Sequence, residues 1–470
     1  MVFSSETFLF LFLPLFLAVY YLTPERHRSV TILLGSYVFY GWWRIDFLAL
    51  LFGTTLWTYA FGRRIGAARS PRAAKVYLTI GLIGCLGVLA VFKYLNFFID
   101  SFATLWGTTP DALGLHWRLI LPIGVSFYVF HAVSYLVDVY RKDAEATARF
   151  FDFAAFIALF PQLVAGPILR FKDLTHQFAH RTHSLALFAD GTTLFLIGLA
   201  KKVLLADTVA PLADLAFATP NPSVVLSWTG SIAYMMQLYF DFSGYSDMAI
   251  GLGLMIGFHF RPNFDTPYIS RSITEFWRRW HISLSVWLRD YLYIPLGGNR
   301  KGPLRTYANL LLVMFLGGLW HGAAMTFVIW GLWHGLWLAV ERATGLANRQ
   351  RLGDLARTLA IVLVGWVMFR AASVADAFGL YAGMIGQNGF AAEPLSIPRE
   401  ALVFLALGIL YAGFEPALNR LAARHLAPGP DGPLTLLNTA LPALPMVLLA
   451  SVTLLKLAEQ SASPFLYFQF

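Results

Sequence analysis

The chain has 470 residues, of which 58% are hydrophobic and 13% charged, and its formal net charge is +9. Soluble domains average about 45–50% apolar and about 25% charged residues. So few charges could not cover the surface of a water-soluble protein of this length. The composition therefore excludes the soluble globular class and predicts an integral membrane protein whose surroundings are a lipid bilayer, with no nucleic-acid partner.

The lack of any long polar linker predicts one membrane-embedded domain over residues 1–470. The single cysteine, Cys85, excludes an intramolecular disulfide, and its apolar neighbours favour a buried small side chain over a nucleophile. We expect no metal site, because no cluster of His, Cys and Asp has ligand spacing. Residues 8–22 lack the basic start and cleavage site of a signal peptide, so we expect them to form the first helix.

Apolar runs along the chain predict an all-α, polytopic helical bundle. A membrane-spanning helix needs about 20 mainly apolar residues, and several of the runs are shorter or contain Gly or Pro. The sequence therefore predicts between roughly ten and fourteen membrane elements. The candidate runs are residues 8–22, 30–43, 47–62, 76–99, 119–140, 185–206, 224–240, 310–320, 322–340, 359–369, 401–414 and 436–457.

Basic residues in short loops predict the orientation, because they are enriched on the cytoplasmic side. Arg63, Arg64 and Lys75 belong to one such loop, and this places the N-terminus outside. Residues 100–116 and 207–227 contain no Lys or Arg and are predicted to be external loops. Residues 150–169 have basic residues at both ends and two helix-breaking Pro pairs inside, which predicts a re-entrant hairpin.

Residues 272–295 predict one amphipathic helix of about twenty residues. Ser272 and Glu275 have the spacing of a capping box at its start, and Pro295 lies at its end. Its polar face contains Arg278, Arg279 and Arg289. Two interpretations stay open: a helix lying flat on the inner leaflet, or the wall of a watery funnel whose arginines meet an anionic ligand.

Two histidines are the strongest catalytic candidates. His321 lies between two apolar runs, where an ionisable group is a functional hypothesis by default, and His281 flanks the apolar stripe of the amphipathic helix. With an ordinary pKa near 6.5, histidine can take a proton from a hydroxyl that attacks a thioester and return it to a leaving group. The alternative for each is a structural histidine bonded to a carbonyl group.

Other polar residues in apolar surroundings have weaker signals. His334 follows His321 by thirteen residues, about 20 Å along a continuous helix, and its neighbouring tryptophans favour packing, as we also expect for His131. Asp241 and Asp247 are either buried carboxylates that orient a base or an arginine, or part of an interfacial loop. The Lys201–Lys202 pair is predicted to reach a headgroup region.

Several motifs together resemble the membrane-bound O-acyltransferase family, in particular its bacterial alginate O-acetylation branch. The similarity extends nearly from end to end. The motifs are Lys93 to Phe98, Leu121 to Tyr128, Phe160 to Arg170, Tyr239 to Gly251, Glu275 to His281, Trp320-His321-Gly322 and Ser463 to Phe470.

The resemblance implies a many-helix, funnel-shaped fold in the bacterial inner membrane, with His321 near the membrane middle and His281 as its partner. It also implies transfer of an acetyl group from cytoplasmic acetyl-CoA to periplasmic SGNH-type proteins, which acetylate an exopolysaccharide, with alginate favoured. Glu275, Trp320, Asp241 and Asp247 would be supporting polar residues. The three arginines of the amphipathic helix would face the phosphates of coenzyme A.

Other members of such a family would acetylate peptidoglycan or cellulose, or transfer D-alanine toward teichoic acid. Two alternatives from other classes are a transporter or flippase, whose broken helices give similar patterns, and a scaffold that only recruits soluble acetylation proteins. We find no clear internal repeat of the kind that would favour a transporter.

Overall fold

A computed structural model describes residues 1–115, 118–349, 351–391, 399–425 and 436–459. Within these ranges the regular structure is entirely helical, which confirms the all-α prediction. The α-helices in chain order are α1 (Leu13–Leu22), α2 (Arg28–Gly41), α3 (Asp46–Gly66), α4 (Pro71–Leu89), α5 (Leu95–Leu105), α6 (Val125–Arg141), α7 (Phe150–Ala158), α8 (Phe160–Leu163), α9 (Phe171–Ala179), α10 (Leu185–Ala200), α11 (Asp207–Ala218), α12 (Val224–Met255), α13 (Ile273–Arg279), α14 (Ile282–Leu288), α15 (Pro303–His321), α16 (Met325–Thr344), α17 (Leu352–Arg370), α18 (Val374–Met384), α19 (Arg399–His425) and α20 (Leu436–Glu459).

Short π-helical and 3₁₀ segments continue or join several of these helices. The π-helical segments are Thr7–Phe12, Ala90–Tyr94, Lys201–Ala206 and Arg289–Tyr293, and the 3₁₀ segments are Glu25–His27, Asp111–Leu113, Pro267–Ile269 and Leu346–Asn348. π-Helical turns are rare and often occur at functional sites.

Two helical stretches in the described part of the chain are long and apolar enough to cross a bilayer by themselves. They are Pro71–Leu105, with 35 residues, and Arg399–Arg420, with 22 residues. Thr7–Leu22 is apolar but shorter. Large apolar side chains such as Ile83 and Leu410 are exposed on these elements, as expected for lipid-facing positions. The larger number of membrane elements stays a prediction.

The predicted external loop over residues 207–227 is wrong in its first half. Residues Asp207–Ala218 form α11, and its buried side chains are Thr208, Val209, Leu212, Ala213 and Ala216. Positions 209, 212, 213 and 216 have the three- and four-residue spacing of one helix face. The absence of basic residues therefore did not indicate a loop.

The predicted break within residues 150–169 is confirmed. α7 ends at Ala158, one short helical turn follows, and the backbone packs closely enough that a Cβ on Gly166 would lie 2.5 Å from the carbonyl oxygen of Pro161. Residues 153–169 are buried, and the amide of Leu169 donates to Nε2 of His131 at 3.3 Å. His131 is therefore structural, as expected. The re-entrant position of the segment in a bilayer stays a prediction.

Two compact units can be distinguished within the chain. One comprises Met1–Gly191, Leu252–Arg261 and Gly322–Ala324, and the other Thr192–Gly251, Pro262–His321 and Met325–Phe470. Aromatic side chains of the first unit, including Phe8, Phe39 and Phe160, pack on one another with ring centroids 5.4–6.3 Å apart. The prediction of a single domain remains untested. Both candidate histidines belong to the second unit.

Glycines bring α15 and α16 into backbone contact. A Cβ on Gly318 would lie 2.3 Å from the carbonyl oxygen of Phe327, and one on Gly331 would lie 2.3 Å from that of Met314. Gly335 lies against Leu311 in the same way, with 3.2 Å from its would-be Cβ to the Leu311 Cα. Only glycine allows such an approach. These three glycines therefore allow α15 and α16 to pack closely.

Candidate functional site

The amphipathic segment is not one continuous helix, so that prediction is wrong. α13 ends at Arg279 and α14 begins at Ile282; between them Trp280 is extended and His281 adopts φ 45° and ψ 55°. This left-handed backbone is uncommon for any residue other than glycine. The amide of Ile282 donates to the carbonyl oxygen of Asn263 at 2.9 Å instead of continuing the helix.

The start of this segment forms half of the capping box that the sequence predicts, because the Glu275 carboxylate bonds the amide of Arg271 instead of that of Ser272. The amide of Glu275 donates to Oγ of Ser272 at 3.0 Å, and the Glu275 carboxylate accepts from the amide of Arg271 at 2.9 Å. A second carboxylate, that of Glu341 on α16, accepts from the amides of Ile273 and Thr274 at 2.6 and 2.8 Å. Two acidic side chains therefore fix the N-terminus of α13.

The imidazole of His281 is buried and held by an amide side chain. Its Nδ1 lies 3.2 Å from Oδ1 of Asn263, which also accepts from the amide and the hydroxyl of Ser283. An amide oxygen only accepts, so Nδ1 carries the proton and Nε2 keeps its lone pair. Within the described residues Nε2 has no hydrogen-bond partner. The ring packs against Phe242, with centroids 4.7 Å apart.

His321 is the last residue of α15 and lines a cavity of about 190 Å³. The walls are mostly apolar and are formed by Trp277, Leu284, Ser285, Leu288, Arg289, Tyr293, Leu310, Val313, Met314, Gly317, His321, Trp330 and Leu338. The His321 ring is 6% exposed and packs on Trp330 and Phe369 at 5.0 and 5.3 Å between ring centroids. An imidazole in an apolar cavity with few polar groups is a typical arrangement of a small-molecule site.

One indole lies between the two candidate histidines. The Trp320 ring centroid is 6.2 Å from that of His281 and 5.1 Å from that of His321. His281 itself does not belong to the cavity lining. The structure thus brings the two histidines to neighbouring positions but gives them different access, with His321 at the cavity wall and His281 in the packed interior behind it.

His334 lies nearer to His321 than a continuous helix would allow. Because α15 ends at His321 and α16 packs back against it, His321 and His334 both contact the Trp330 ring, at 5.0 and 5.2 Å. The separation of about 20 Å applies to a continuous helix, and the break between His321 and Met325 removes that condition. His334 is fully buried and also packs on Trp277 at 5.3 Å, which agrees with the packing role expected for it.

The three arginines of the amphipathic segment have different surroundings. Arg289 begins the π-helical segment, lines the cavity and pairs with Asp290 at 2.7 Å. Arg279 forms ion pairs with Glu275 and Asp265 at 3.0 and 3.2 Å, so its charge is used within the protein. Arg278 is exposed. Of the three, Arg289 is the one placed to meet a ligand in the cavity.

Asp241 and Asp247 lie inside α12, not in an interfacial loop, and they pair with lysines. Lys202 lies 2.7 Å from Asp241 and 2.7 Å from Asp207, and Lys201 lies 2.9 Å from Asp247. The predicted extension of both lysines to a headgroup region is wrong, since their side chains are 4% and 10% exposed. Opposite charges nearby explain why these side chains are buried.

Two residues of the site were not singled out in the sequence. Asn263 follows a proline in a polar stretch with no periodic pattern, so nothing local indicates that its amide holds His281. Glu341 is preceded by an apolar run, residues 325–340, and an acidic residue at that position could have been noticed as a partner for a helix N-terminus. Both residues lie far along the chain from the helix ends that they stabilise.

Comparison with known proteins identifies the class of this chain. The sequence model of the membrane-bound O-acyltransferase family matches residues 75–374. The chain is 51% identical to a probable alginate O-acetylase of Pseudomonas putida and 50% identical to one of Azotobacter vinelandii, each over the full length of both chains. It is 36% identical to a peptidoglycan O-acetyltransferase of Helicobacter pylori, over 86% of this chain and 83% of the relative.

The protein is thus an O-acyltransferase of a membrane family. More particularly, the chain belongs to the membrane-bound O-acyltransferase family, as the motifs around Glu275–His281 and Trp320–Gly322 suggest. This identity favours an enzyme over the transporter and the scaffold that the sequence left open. It also implies an acyl donor and a membrane context.

Proposed function

We propose that this protein O-acetylates alginate, working as a multi-pass protein of the bacterial inner membrane. It moves acetyl groups from cytoplasmic acetyl-CoA toward periplasmic SGNH-type acceptor proteins. Support for the polymer comes from relatives about half identical over their whole length, whose names specify alginate. The peptidoglycan enzyme is less similar, at 36%. The many-helix funnel with its re-entrant segment is part of the same proposal.

One observation carries the chemistry: His321 is the imidazole that lines an otherwise largely apolar cavity of about 190 Å³. A cavity of this kind suits an acyl group and excludes water, which would hydrolyse a thioester. His321 takes the proton of the acceptor hydroxyl, and the oxygen attacks the thioester carbonyl. The C–S bond of the tetrahedral intermediate then breaks, the proton passes to the departing thiolate, and the acetyl ester and free coenzyme A are formed.

The remaining site residues would position the reactants. Arg289 lines the same cavity and is cationic, so it suits a phosphate-bearing donor. His281 lies outside the cavity lining and supports the reaction through Trp320, whose ring contacts both histidines. Glu275 and Glu341 hold α13, and Asp241 and Asp247 fix α12 through their lysines.

The proposal is tested by reconstituting the purified chain in proteoliposomes with acetyl-CoA labelled in the acetyl group. Alginate fragments and peptidoglycan fragments are offered separately, each with its SGNH-type partner protein. We expect label on the alginate fragments or their partner. Label on the peptidoglycan material alone would overturn the choice of polymer, and no label on any acceptor would overturn the donor and the direction of transfer.

A further inference from the structure

The first unit contains a second, polar cavity of about 270 Å³ that the proposed reaction does not use. Its lining residues come from the start of α2, the start of α7 and the end of α9 with the chain that follows. They are Glu25, Arg26, Arg28, Ser29, Arg149, Asp152, Phe178, Ala179, His180, Arg181 and His183. Four arginines therefore face two carboxylates, and the cavity is cationic.

The two carboxylates neutralise only part of this charge. Asp152 pairs with Arg149 at 3.2 Å, and Glu25 lies 3.5 Å from Arg28, although the Glu25 side chain is 83% exposed. The Arg181 guanidinium lies over the rings of Phe178 and Phe258, at 5.9 and 5.2 Å from their centroids. Within the described residues its buried Nη1 has no hydrogen-bond acceptor. A buried cationic donor without an acceptor is costly unless a ligand supplies one.

His183 adds no negative charge to the cavity and is held as a neutral ring. The Tyr20 hydroxyl donates to the carbonyl oxygen of Ile256 at 2.8 Å, so it accepts from Nε2 of His183 at 2.9 Å. Nδ1 then keeps a lone pair, which accepts from Nη1 of Arg28 at 3.2 Å. Burial, with the charges of Arg28 and Arg181, lowers the pKa of His183. The ring fixes Arg28 without adding a negative charge, so the only counter-charge described for Arg28 is that of the exposed Glu25.

The cavity lies at the end of an apolar helix that exposes large side chains. Leu15 and Leu22 of α1 are 61% and 85% exposed, and Tyr21, beside them, packs on the His183 ring at 5.9 Å. Exposed apolar side chains that end at a basic cavity form the boundary expected where lipid tails meet lipid headgroups. Arginine is the side chain best suited to phosphate oxygens.

We propose that this cavity binds a phosphate group through Arg181, Arg28 and Arg26, and that in the membrane the group is the headgroup phosphate of an anionic phospholipid. The bound oxygens supply the acceptor that Arg181 lacks, and the acyl chains lie along the exposed side of α1. A free phosphate has the same chemistry, so the experiment separates the two sources.

The test uses the full chain, purified in detergent and freed of lipid. Binding of short-chain phosphatidylglycerol, short-chain phosphatidylcholine and inorganic phosphate is measured by titration. Arg181→Met replaces the guanidinium that lies over Phe178 and Phe258 with an uncharged side chain. We expect it to weaken phosphatidylglycerol binding about tenfold or more, as for loss of one charge-assisted hydrogen bond. Arg26→Met, an exposed lining position, should weaken it about threefold, roughly half of that free energy.

Arg72→Met is the matched control, because Arg72 is exposed and lies outside the cavity; it should leave binding unchanged. Phosphatidylglycerol binding that depends on Arg181 and Arg26 supports the lipid. Equal, arginine-dependent binding of inorganic phosphate supports the site but overturns the lipid as its source. If Arg181→Met and Arg26→Met both bind phosphatidylglycerol as tightly as Arg72→Met does, the site itself is overturned. Thermal unfolding of each variant shows whether it is folded.

Discussion

The side-chain oxygen of Asn263 accepts three hydrogen bonds, and one of them comes from Nδ1 of His281 at 3.2 Å. The contact with Nδ1 holds the imidazole in the form that has a lone pair on Nε2. The same Asn263 oxygen caps the start of α14 by accepting from Ser283. The left-handed backbone of His281 and the start of α14 therefore depend on the side-chain amide of Asn263.

Asn263→Ala should lower kcat more than it raises KM, because it frees the His281 ring without touching the cavity in which we propose that the substrate binds. We expect a decrease of about ten- to a hundredfold, from loss of orientation. Steady-state kinetics with labelled acetyl-CoA measure both constants. Ser246→Ala, which removes a partner from the other end of the same amide, is the control and should have a smaller effect. A pure KM effect for Asn263→Ala would contradict the positioning role.

His321→Ala should abolish acetyl transfer while the protein still inserts and accumulates. Removal of a general base costs about 10²- to 10⁴-fold in rate. His334→Gln is the matched control and should keep most of the activity. The His334 ring packs on Trp330 but does not itself line the cavity. Acetylation retained by His321→Ala would refute the base, and complete loss in His334→Gln at normal protein abundance would refute the packing role of His334.

Gly318→Ala should separate α15 from α16 and reduce both stability and activity. The new methyl group would lie 2.3 Å from the carbonyl oxygen of Phe327. Because that oxygen belongs to the backbone, no change of side-chain rotamer can relieve the clash. Overpacking of this kind costs about 1–3 kcal/mol or more. Gly379→Ala in α18 has nothing within 4 Å and should be neutral or slightly stabilising. Thermal unfolding in detergent compares the two, and equal melting temperatures would contradict the close helix contact.

Lys202→Met should destabilise the second unit, because it removes the cation that pairs with Asp207 and with the buried Asp241. Loss of one partner of a buried ion pair costs about 3–5 kcal/mol. The double variant Lys202→Met/Asp241→Asn should recover part of that loss. Lys456→Met, whose carboxylate partners are half or more exposed, should change little. If the double variant is no more stable than the single one, the pairing is not the cause.

Glu341→Ala should loosen α13, since it removes the acceptor of two backbone amides and of the Thr274 hydroxyl. Loss of a helix cap costs about 0.5–2 kcal/mol. Glu341→Gln keeps one acceptor oxygen and should cost less. Melting temperatures are measured alongside activity for the unchanged protein, Glu341→Gln and Glu341→Ala, and stability should decrease in that order. A Gln variant less stable than the Ala variant would contradict the capping role of Glu341.

Helix content and many helix positions could be predicted because long apolar runs and capping residues are local signals. The break at His281 could not, since Trp277, Trp280 and Leu284 keep helical spacing across it and the interaction that stops the helix comes from Asn263, outside the periodic segment. The burial of Lys201 and Lys202 likewise depends on carboxylates distant along the chain, among them Asp247 and Glu415. Which histidine lines the cavity was a question of packing, not of spacing.

The backbone contact between α15 and α16 has a consequence for how the cavity can open. Sliding one helix along the other would bring larger residues into the places where Gly318 and Gly331 now allow backbone contact, so we expect this hairpin to keep His321 next to Trp330. Another part of the cavity wall is formed by the π-helical segment that begins at Arg289, for which the structure shows no such glycine-mediated backbone contact within the described residues. We therefore expect the cavity to open by movement of that segment, while His321 keeps its position at the end of α15.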